Sequence, residues 1–287
     1  MSDAAPRSPI TTRSRPVEVA APPSDRVEVT IVVPTFREHD NLIPLLDRLR
    51  RLRDQIPGLE VVFMDDPSGD GSQQLIDSMG EDWVSLVSRN GTRGLSPAVL
   101  EGFDHALGKL VVVMDADLSH PPEAIPAMLE RLRGSGDRPA QDMVVGSRYV
   151  DGGSTQDSWG VFRWVNSAVA TLLARPLTRV KDPMSGFFAV RRDAVRDASQ
   201  WLNPIGYKIA LELIVKCGFE RVAEVPIHFG LRHAGESKLS LSEQLKYVRH
   251  LARLYFFVLS GGRRTVREVR WQHREVSRRA TPRARQG

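Results

Sequence analysis

Hydrophobic and polar positions follow two alternating periods along the chain. Val27–Val33 (VEVTIVV) is a β-branched run closed by Pro34, the pattern of a strand buried on both faces. Leu42, Leu45, Leu46, Leu49 and Leu52 then share one helical face. Leu59–Met64 reads as the next strand, followed by a polar, Gly-rich turn and a helix around Gln73–Met79. A strand at Val84–Val87, a helix at Ser96–Leu107, a strand at Leu110–Met114, a helix at Glu123–Leu132 and a strand at Met143–Val145 continue the series. Strands alternating with helices of roughly 10–15 residues imply βαβ units and a parallel sheet covered on both faces. The second half is less regular. Trp159–Leu173 and Leu241–Leu259 read as amphipathic helices, and Phe187–Val190 and Val222–Phe229 as strands. Residues 1–26 hold five prolines and no periodicity, so a disordered leader is expected there. The segment 261–287 reads as a polybasic, disordered tail, weakly helical at most.

Composition changes this picture little, and charge changes it more. The chain has 287 residues, 41% hydrophobic and 26% charged, which excludes a wholly disordered or fibrous protein. Its net charge of +5 is unevenly spread. Nine Arg against two Glu from Arg263 onward give +7, and residues 1–26 give +1. Residues 27–262 hold 27 basic and 30 acidic residues, a net of −3. The globular part is therefore mildly acidic, which argues against nucleic acid as a partner. The single cysteine, Cys217, forbids an internal disulfide and fits a reducing, cytoplasmic setting. The longest apolar run, Leu254–Leu259, falls far short of the roughly 18 residues of a spanning helix. The N-terminus lacks the apolar segment of a secretory signal.

In open α/β sheets, ligands bind beyond the carboxyl ends of the strands, so the residues just after each strand carry the chemistry. Pro34-Thr35-Phe36-Arg37-Glu38 follows the first strand, and Asp65-Asp66-Pro67-Ser68-Gly69-Asp70-Gly71 the second. Asp115-Ala116-Asp117-Leu118-Ser119-His120 follows the fourth. Three acid-bearing strand ends thus meet at one sheet edge. Two carboxylates at Asp115-x-Asp117 suit a hard divalent cation, Mg²⁺ or Mn²⁺, that also takes phosphate oxygens; the plainer alternative is a turn or helix cap. Asp65 and Asp66 have the same double reading, as nucleotide-binding carboxylates or as turn and capping residues. No phosphate-binding P-loop, dinucleotide fingerprint or serine-nucleophile elbow occurs. Arg148 lies directly after the fifth strand, where a planar fork can grip phosphate. Asp182 falls where it could act near a reacting carbon, orient a sugar or an arginine, or simply close a turn.

PTFRE, DDPSGDGS, GLSPAVLEGF, MDADLSHPPE, VVGSRY, DPMSGFF and LRHAGESKL occur in that order. Together they resemble the family-2, GT-A-fold glycosyltransferases of the dolichol- or polyprenol-phosphate mannose synthase group, from about Val29 to about Phe257. The resemblance implies an α/β fold of GT-A, Rossmann-like type: a mixed, mostly parallel sheet with helices on both faces and a C-terminal amphipathic interface helix. The catalytic domain would be 27–239 and the interface helix 240–260. By the same resemblance, Pro34, Phe36 and Glu38 line the nucleotide pocket, with Phe36 where a Tyr is common. Asp65 or Asp66 holds the base or ribose, of guanosine by this reading. Asp115 and Asp117 bind metal and diphosphate, with Ala116 giving a backbone contact and Ser119 standing where some members have a Gln ligand. Arg148, Arg232 and Lys238 grip phosphates of donor or acceptor. Pro67 and Gly69 depart from the family pattern in a way that alters the turn.

The activity implied is inverting transfer of mannose from GDP-mannose to a polyprenyl, dolichyl-type phosphate, giving a β-linked lipid product and GDP. The catalytic residues expected are Asp117, Arg148 and Asp182. Two alternatives stay open: another nucleotide sugar such as UDP-glucose as donor, and a hydroxyl acceptor, which would need Asp182 as a general base. A lipid acceptor implies peripheral contact with the cytoplasmic face of a membrane, and the family admits a separate membrane-anchoring subunit. The two amphipathic helices carry interspersed Arg and Lys and suit that interface, as does a basic tail on an anionic leaflet.

Overall fold

The computed structural model describes residues 27–155, 169–230 and 241–280. The strands are β1 (Val29–Thr35), β2 (Leu59–Asp65), β3 (Val84–Ser88), β4 (Leu110–Val113), β5 (Met143–Ser147), β6 (Ser154–Thr155), β7 (Phe188–Arg191), β8 (Val222–Pro226) and β9 (His228–Phe229). Seven of them form one sheet in the order β3-β2-β1-β4-β7-β5-β8. Only β7 runs antiparallel to its neighbours, β4 and β5. The remaining pairs are parallel, and β6 and β9 form a small parallel pair beside them. The sheet is thus mixed and mostly parallel.

The helices are α1 (His39–Arg50), α2 (Ser72–Met79), α3 (Leu95–His105), α4 (Ile125–Arg133), α5 (Arg192–Arg196), α6 (Ile209–Lys216), α7 (Leu241–Leu259) and α8 (Gly262–Ala280). Because side chains alternate across a strand, Ile31, Val33, Val61 and Phe63 face one side, where Leu42, Leu45, Leu46 and Leu49 of α1 and Met128 and Leu132 of α4 bury them. Val32, Val62 and Met64 face the other, under Ala98, Val99 and Phe103 of α3 and Ile209 and Leu213 of α6. Gly102 lets α3 lie directly on β1, since a Cβ there would meet Val32 Cγ1 at 2.3 Å. A third cluster joins Ala174, Leu177, Met184, Leu211 and Val215 to Leu251 and Leu254 of α7.

Three features differ from the sequence expectation, each for a physical reason. Helix α6 escapes a periodicity search because all eight of its residues are buried, Glu212 and Lys216 included, so it has no exposed face. The single strand expected at Val222–Phe229 breaks after Pro226, which has no amide hydrogen to extend the ladder. The largest correction concerns the expected disordered tail: Gly262–Ala280 is helix α8, docked on the domain. Val266 is fully buried there, and arginine stems and forks do the rest of the packing. Arg270 donates to the Cys217 carbonyl at 2.7 Å and covers the Phe219 ring at 5.0 Å. Arg263 donates to the Leu177 carbonyl, and Arg267 pairs with Glu220 at 2.8 Å. The leader 1–26 and most of the helix expected at Trp159–Leu173 lie outside the described residues, although 169–174 is helical.

Candidate active site

Strands β1, β2, β3 and β4 are mutually parallel, so their carboxyl ends deliver side chains to one edge. At the first two, Thr35 Oγ1 donates to Asp65 Oδ1 at 2.8 Å, and the Asp66 amide donates to the Thr35 carbonyl at 2.9 Å. Burial pushes the Asp65 carboxyl above the ordinary aspartate range, against the Thr35 hydrogen bond and with Asp70 and Asp66 adding to the effect. Asp66 is engaged differently. Its Oδ2 accepts the Gly94 amide at 2.8 Å, and its Oδ1 accepts Nη1 of the buried Arg89. Arg89 also grips Glu101 through Nε at 2.8 Å and Nη2 at 2.6 Å. Burial works against the Arg89 charge, but Glu101 and Asp66 outweigh it and raise its pKa. Asp66 thereby ties the loop from β3 into α3. Next to it, Phe36 carries the Arg93 guanidinium over its ring at 4.2 Å, and Glu38 accepts the Asn41 side chain at 2.6 Å. Pro34 is half-buried at the end of β1.

Beyond β4, Asp117 Oδ1 accepts both the amide and the hydroxyl of Ser119, at 3.1 and 2.5 Å. Ser119, expected at a metal-ligand position, therefore braces Asp117. Asp117 and Ala116 are buried, whereas the Asp115 side chain is 31% exposed. His120 Nδ1 accepts the Asp115 amide at 3.0 Å, and its buried ring stacks on Phe187 at 5.2 Å with Phe229 edge-on at 5.5 Å. The histidine holds the loop's shape. Gly186 keeps the space beside Asp115 clear, since a Cβ there would stand 3.6 Å from both carboxylate oxygens. Among the described residues no three His, Cys, Asp or Glu side chains gather as a metal cage. Two hard carboxylates without a third acid fit a divalent cation that completes its shell with diphosphate and water. Among the described residues, Arg37 (φ 61) and Leu118 (φ 65) are the non-glycine residues in the left-handed region, one in each of two strand-end loops. Such a conformation costs about 1–2 kcal/mol, and strain of this kind concentrates at functional sites.

Arg148 follows β5 and meets the fully buried Asp182 as a bidentate pair, Nε–Oδ2 and Nη2–Oδ1 both at 2.8 Å, with its amide on Oδ2 at 3.1 Å. Burial opposes the Arg148 charge, and Asp182 more than offsets it. Glu224 fixes Asp182 in turn by accepting its amide at 3.0 Å. The Phe229 ring lies 5.4 Å from the Arg148 guanidinium and also contacts His120, so one aromatic links the two loops. The Gly230 amide donates to the Ser119 carbonyl at 2.9 Å, which leads the chain from β9 onto the Asp115–Asp117 loop. Arg232 and Lys238 follow in 231–240, outside the described residues.

The model of Glycosyl transferase family 2 matches residues 30–198, a span that contains the carboxyl ends of β1 to β5. The chain belongs to that family. It is 41% identical over 237 residues to a dolichol-phosphate mannosyltransferase of Mycosarcoma maydis, covering 79% of each chain. It is 39% identical to that of Pyrococcus furiosus over 79% of this chain and 64% of the relative, and 38% identical to that of Saccharomyces cerevisiae over 80% and 88%. Glucosyl-3-phosphoglycerate synthase from Mycobacterium tuberculosis, solved with Mn²⁺, UDP and its product, superposes with a TM-score of 0.57 at 20% identity, covering 80% of this chain and 78% of that one. That likeness concerns the fold. As a family-2 glycosyltransferase, the chain is an enzyme. Arg89 was missed by sequence reasoning, although it too follows a strand, because one arginine does not stand out among 34. The bracing roles of Ser119 and His120 have no sequence signal apart from their neighbours.

Proposed function

We propose that this enzyme transfers mannose from GDP-mannose to a dolichyl-type polyprenyl phosphate, with inversion, releasing GDP. The observation that carries the reading is the 38–41% identity, across about four-fifths of the chain, to three dolichol-phosphate mannosyltransferases. Pro34, Phe36, Glu38 and Asp65 would receive the nucleoside, with Asp66 holding the loop around it. Asp115 and Asp117 would hold Mg²⁺ or Mn²⁺, which when bound supplies positive charge against the diphosphate. A lipid phosphate oxygen attacks the anomeric carbon, the bond to the diphosphate breaks, and its electron pair leaves with GDP. A phosphate monoester has a second pKa near about 6, so the nucleophile arrives without a proton to lose. The site supports that economy: both oxygens of Asp182 are taken by Arg148. Asp182 is then a positioning residue, and Arg148 presents its charge to phosphate, joined by Arg232 and Lys238.

The acceptor is amphiphilic, and α7 has a face for it. Leu245, Val248, Ala252, Phe256 and Leu259 recur at helical spacing and are exposed, Leu245 by 72%, Phe256 by 74% and Leu259 by 84%. The expected stripe is thus divided, because Leu251 and Leu254 serve the core. Lys246, Arg249 and Arg253 interrupt the exposed apolar face, as on interfacial helices. Among the described residues no helix is long and apolar enough to cross a membrane. The enzyme would lie against the cytoplasmic face of a bilayer, alone or beside a separate anchoring subunit. Radiolabelled transfer from GDP-mannose and UDP-glucose to a polyprenyl phosphate tests the reading. A mannolipid is expected, and glucolipid alone would overturn the donor assignment.

A further inference from the structure

The turn between α7 and α8 makes a cleft that the transfer reaction does not use. Gly261 adopts φ 82, and a Cβ on Gly262 would meet the Phe257 ring at 2.5 Å, so the two helices join as tightly as glycine allows. The cleft between them measures about 610 Å³, within the range of small-ligand sites. Its lining combines Val258 with Arg263, Arg264 and Arg267, one acid, Glu268, and Trp271. Trp271 is 66% exposed, an uncommon position for so large an apolar ring on a helix this polar.

We propose that this cleft binds the phosphate headgroup of an anionic phospholipid in the bilayer on which the enzyme works. The inference rests on the reading that the exposed face of α7 meets the membrane. Three observations carry it. The lining residues Val258 and Gly261 flank Leu259, the exposed last residue of that apolar stripe, so the cleft and the stripe adjoin. Arginine forks match phosphate oxygens bidentately, and because Arg263 and Arg267 are drawn to the Leu177 carbonyl and to Glu220, Arg264 is the fork that the lining offers to an anion. An indole with one apolar face and one N–H suits the headgroup level. Burial and the charge of Arg267 both hold Arg263 below the ordinary arginine range, so an anion between them would relieve a like-charge contact. The proposal also divides the basic C-terminal segment by role: Arg263, Arg267 and Arg270 dock α8, and Arg264 at the cleft takes the headgroup.

The proposal is tested by sedimentation of the full chain with vesicles of phosphatidylcholine alone and of phosphatidylcholine mixed with phosphatidylglycerol. Arg264→Gln should weaken binding to the mixed vesicles about fivefold and Arg264→Glu about thirtyfold, the loss of one and two unit charges near an anionic surface. Trp271→Ala should weaken it without any change of charge. Activity on detergent-dispersed acceptor should be unchanged in all three. Arg131→Glu, at an exposed position of α4, makes the same change of net charge and should leave binding nearly intact. Equal losses from Arg264→Glu and Arg131→Glu, or no preference of the unaltered enzyme for the anionic vesicles, would overturn the cleft assignment. Leu245→Ser with Phe256→Ser addresses the underlying reading separately: it should reduce binding to both kinds of vesicle, and no reduction would remove the membrane face itself.

Discussion

At the scale of single residues, charge pairs decide the site's geometry. Asp182 takes both arms of Arg148 and, on the proposed reading, contributes no separate base. Asp182→Asn should lower kcat by about two orders of magnitude, the size of effect that misplacement of a charged group produces. The pH–rate profile should keep its shape, because no titrating base is lost; disappearance of its acidic limb would restore Asp182 as a base. Arg148→Lys should not rescue turnover, since an ammonium cannot reproduce the fork. Arg89 offers a parallel case on the nucleotide side. Arg89→Met strands two carboxylates, Asp66 and Glu101, one of them buried, and should destabilise the fold by about 3 kcal/mol in urea unfolding. The acids at the strand ends were legible in the sequence because their position after apolar runs marks them. Their partners were not, because which arginine of many reaches which acid is settled only by the sheet order.

At the scale of elements, two contacts hold the catalytic sheet to its outer helices. Glu212 of α6 is fully buried and accepts Lys216 at 2.8 Å, His250 of α7 at 2.6 Å and the Asn203 amide at 2.9 Å. Burial alone would raise its pKa, but those partners outweigh burial and lower it. A depressed folded-state value means the stabilisation is present in full above the ordinary glutamate pKa and is lost as pH falls through the folded one. Glu212→Gln should therefore cost about 3 kcal/mol at neutral pH, with the gap from the unaltered protein closing in acid; a gap independent of pH would contradict the pairing. On the same face of the sheet, Gly102→Ala places a methyl into Val32 and should destabilise by about 1–3 kcal/mol in thermal unfolding, even though alanine favours helix. The first five strands and four helices were readable from hydrophobic period to within a few residues. Helix α6 was not, being buried all round, its Glu212 and Lys216 included, and α8 was hidden because its inward face is made mainly of arginines.

At the scale of the whole molecule, the acidic sheet edge and the basic C-terminal segment divide the work. The edge gathers carboxylates, proposed to take a cation and a nucleotide, whereas α7 and α8 carry the exposed apolar and cationic surface proposed to meet a lipid. The net charge of +5 thus averages two regions of opposite character. The sheet, its family and the acidic loops could be expected from ordered motifs. The bracing of Asp117 by Ser119 and the division of α7 between core and exterior required the packed structure. Transfer assayed with GDP-mannose and polyprenyl phosphate, with and without Mg²⁺ or Mn²⁺, for the unaltered enzyme and for Asp115→Asn and Asp117→Asn, tests the central claim most directly. The account predicts a metal-dependent mannolipid from the unaltered enzyme and almost none from either folded variant. Undiminished turnover in both variants, or transfer that ignores the lipid phosphate in favour of a hydroxyl acceptor, would contradict it.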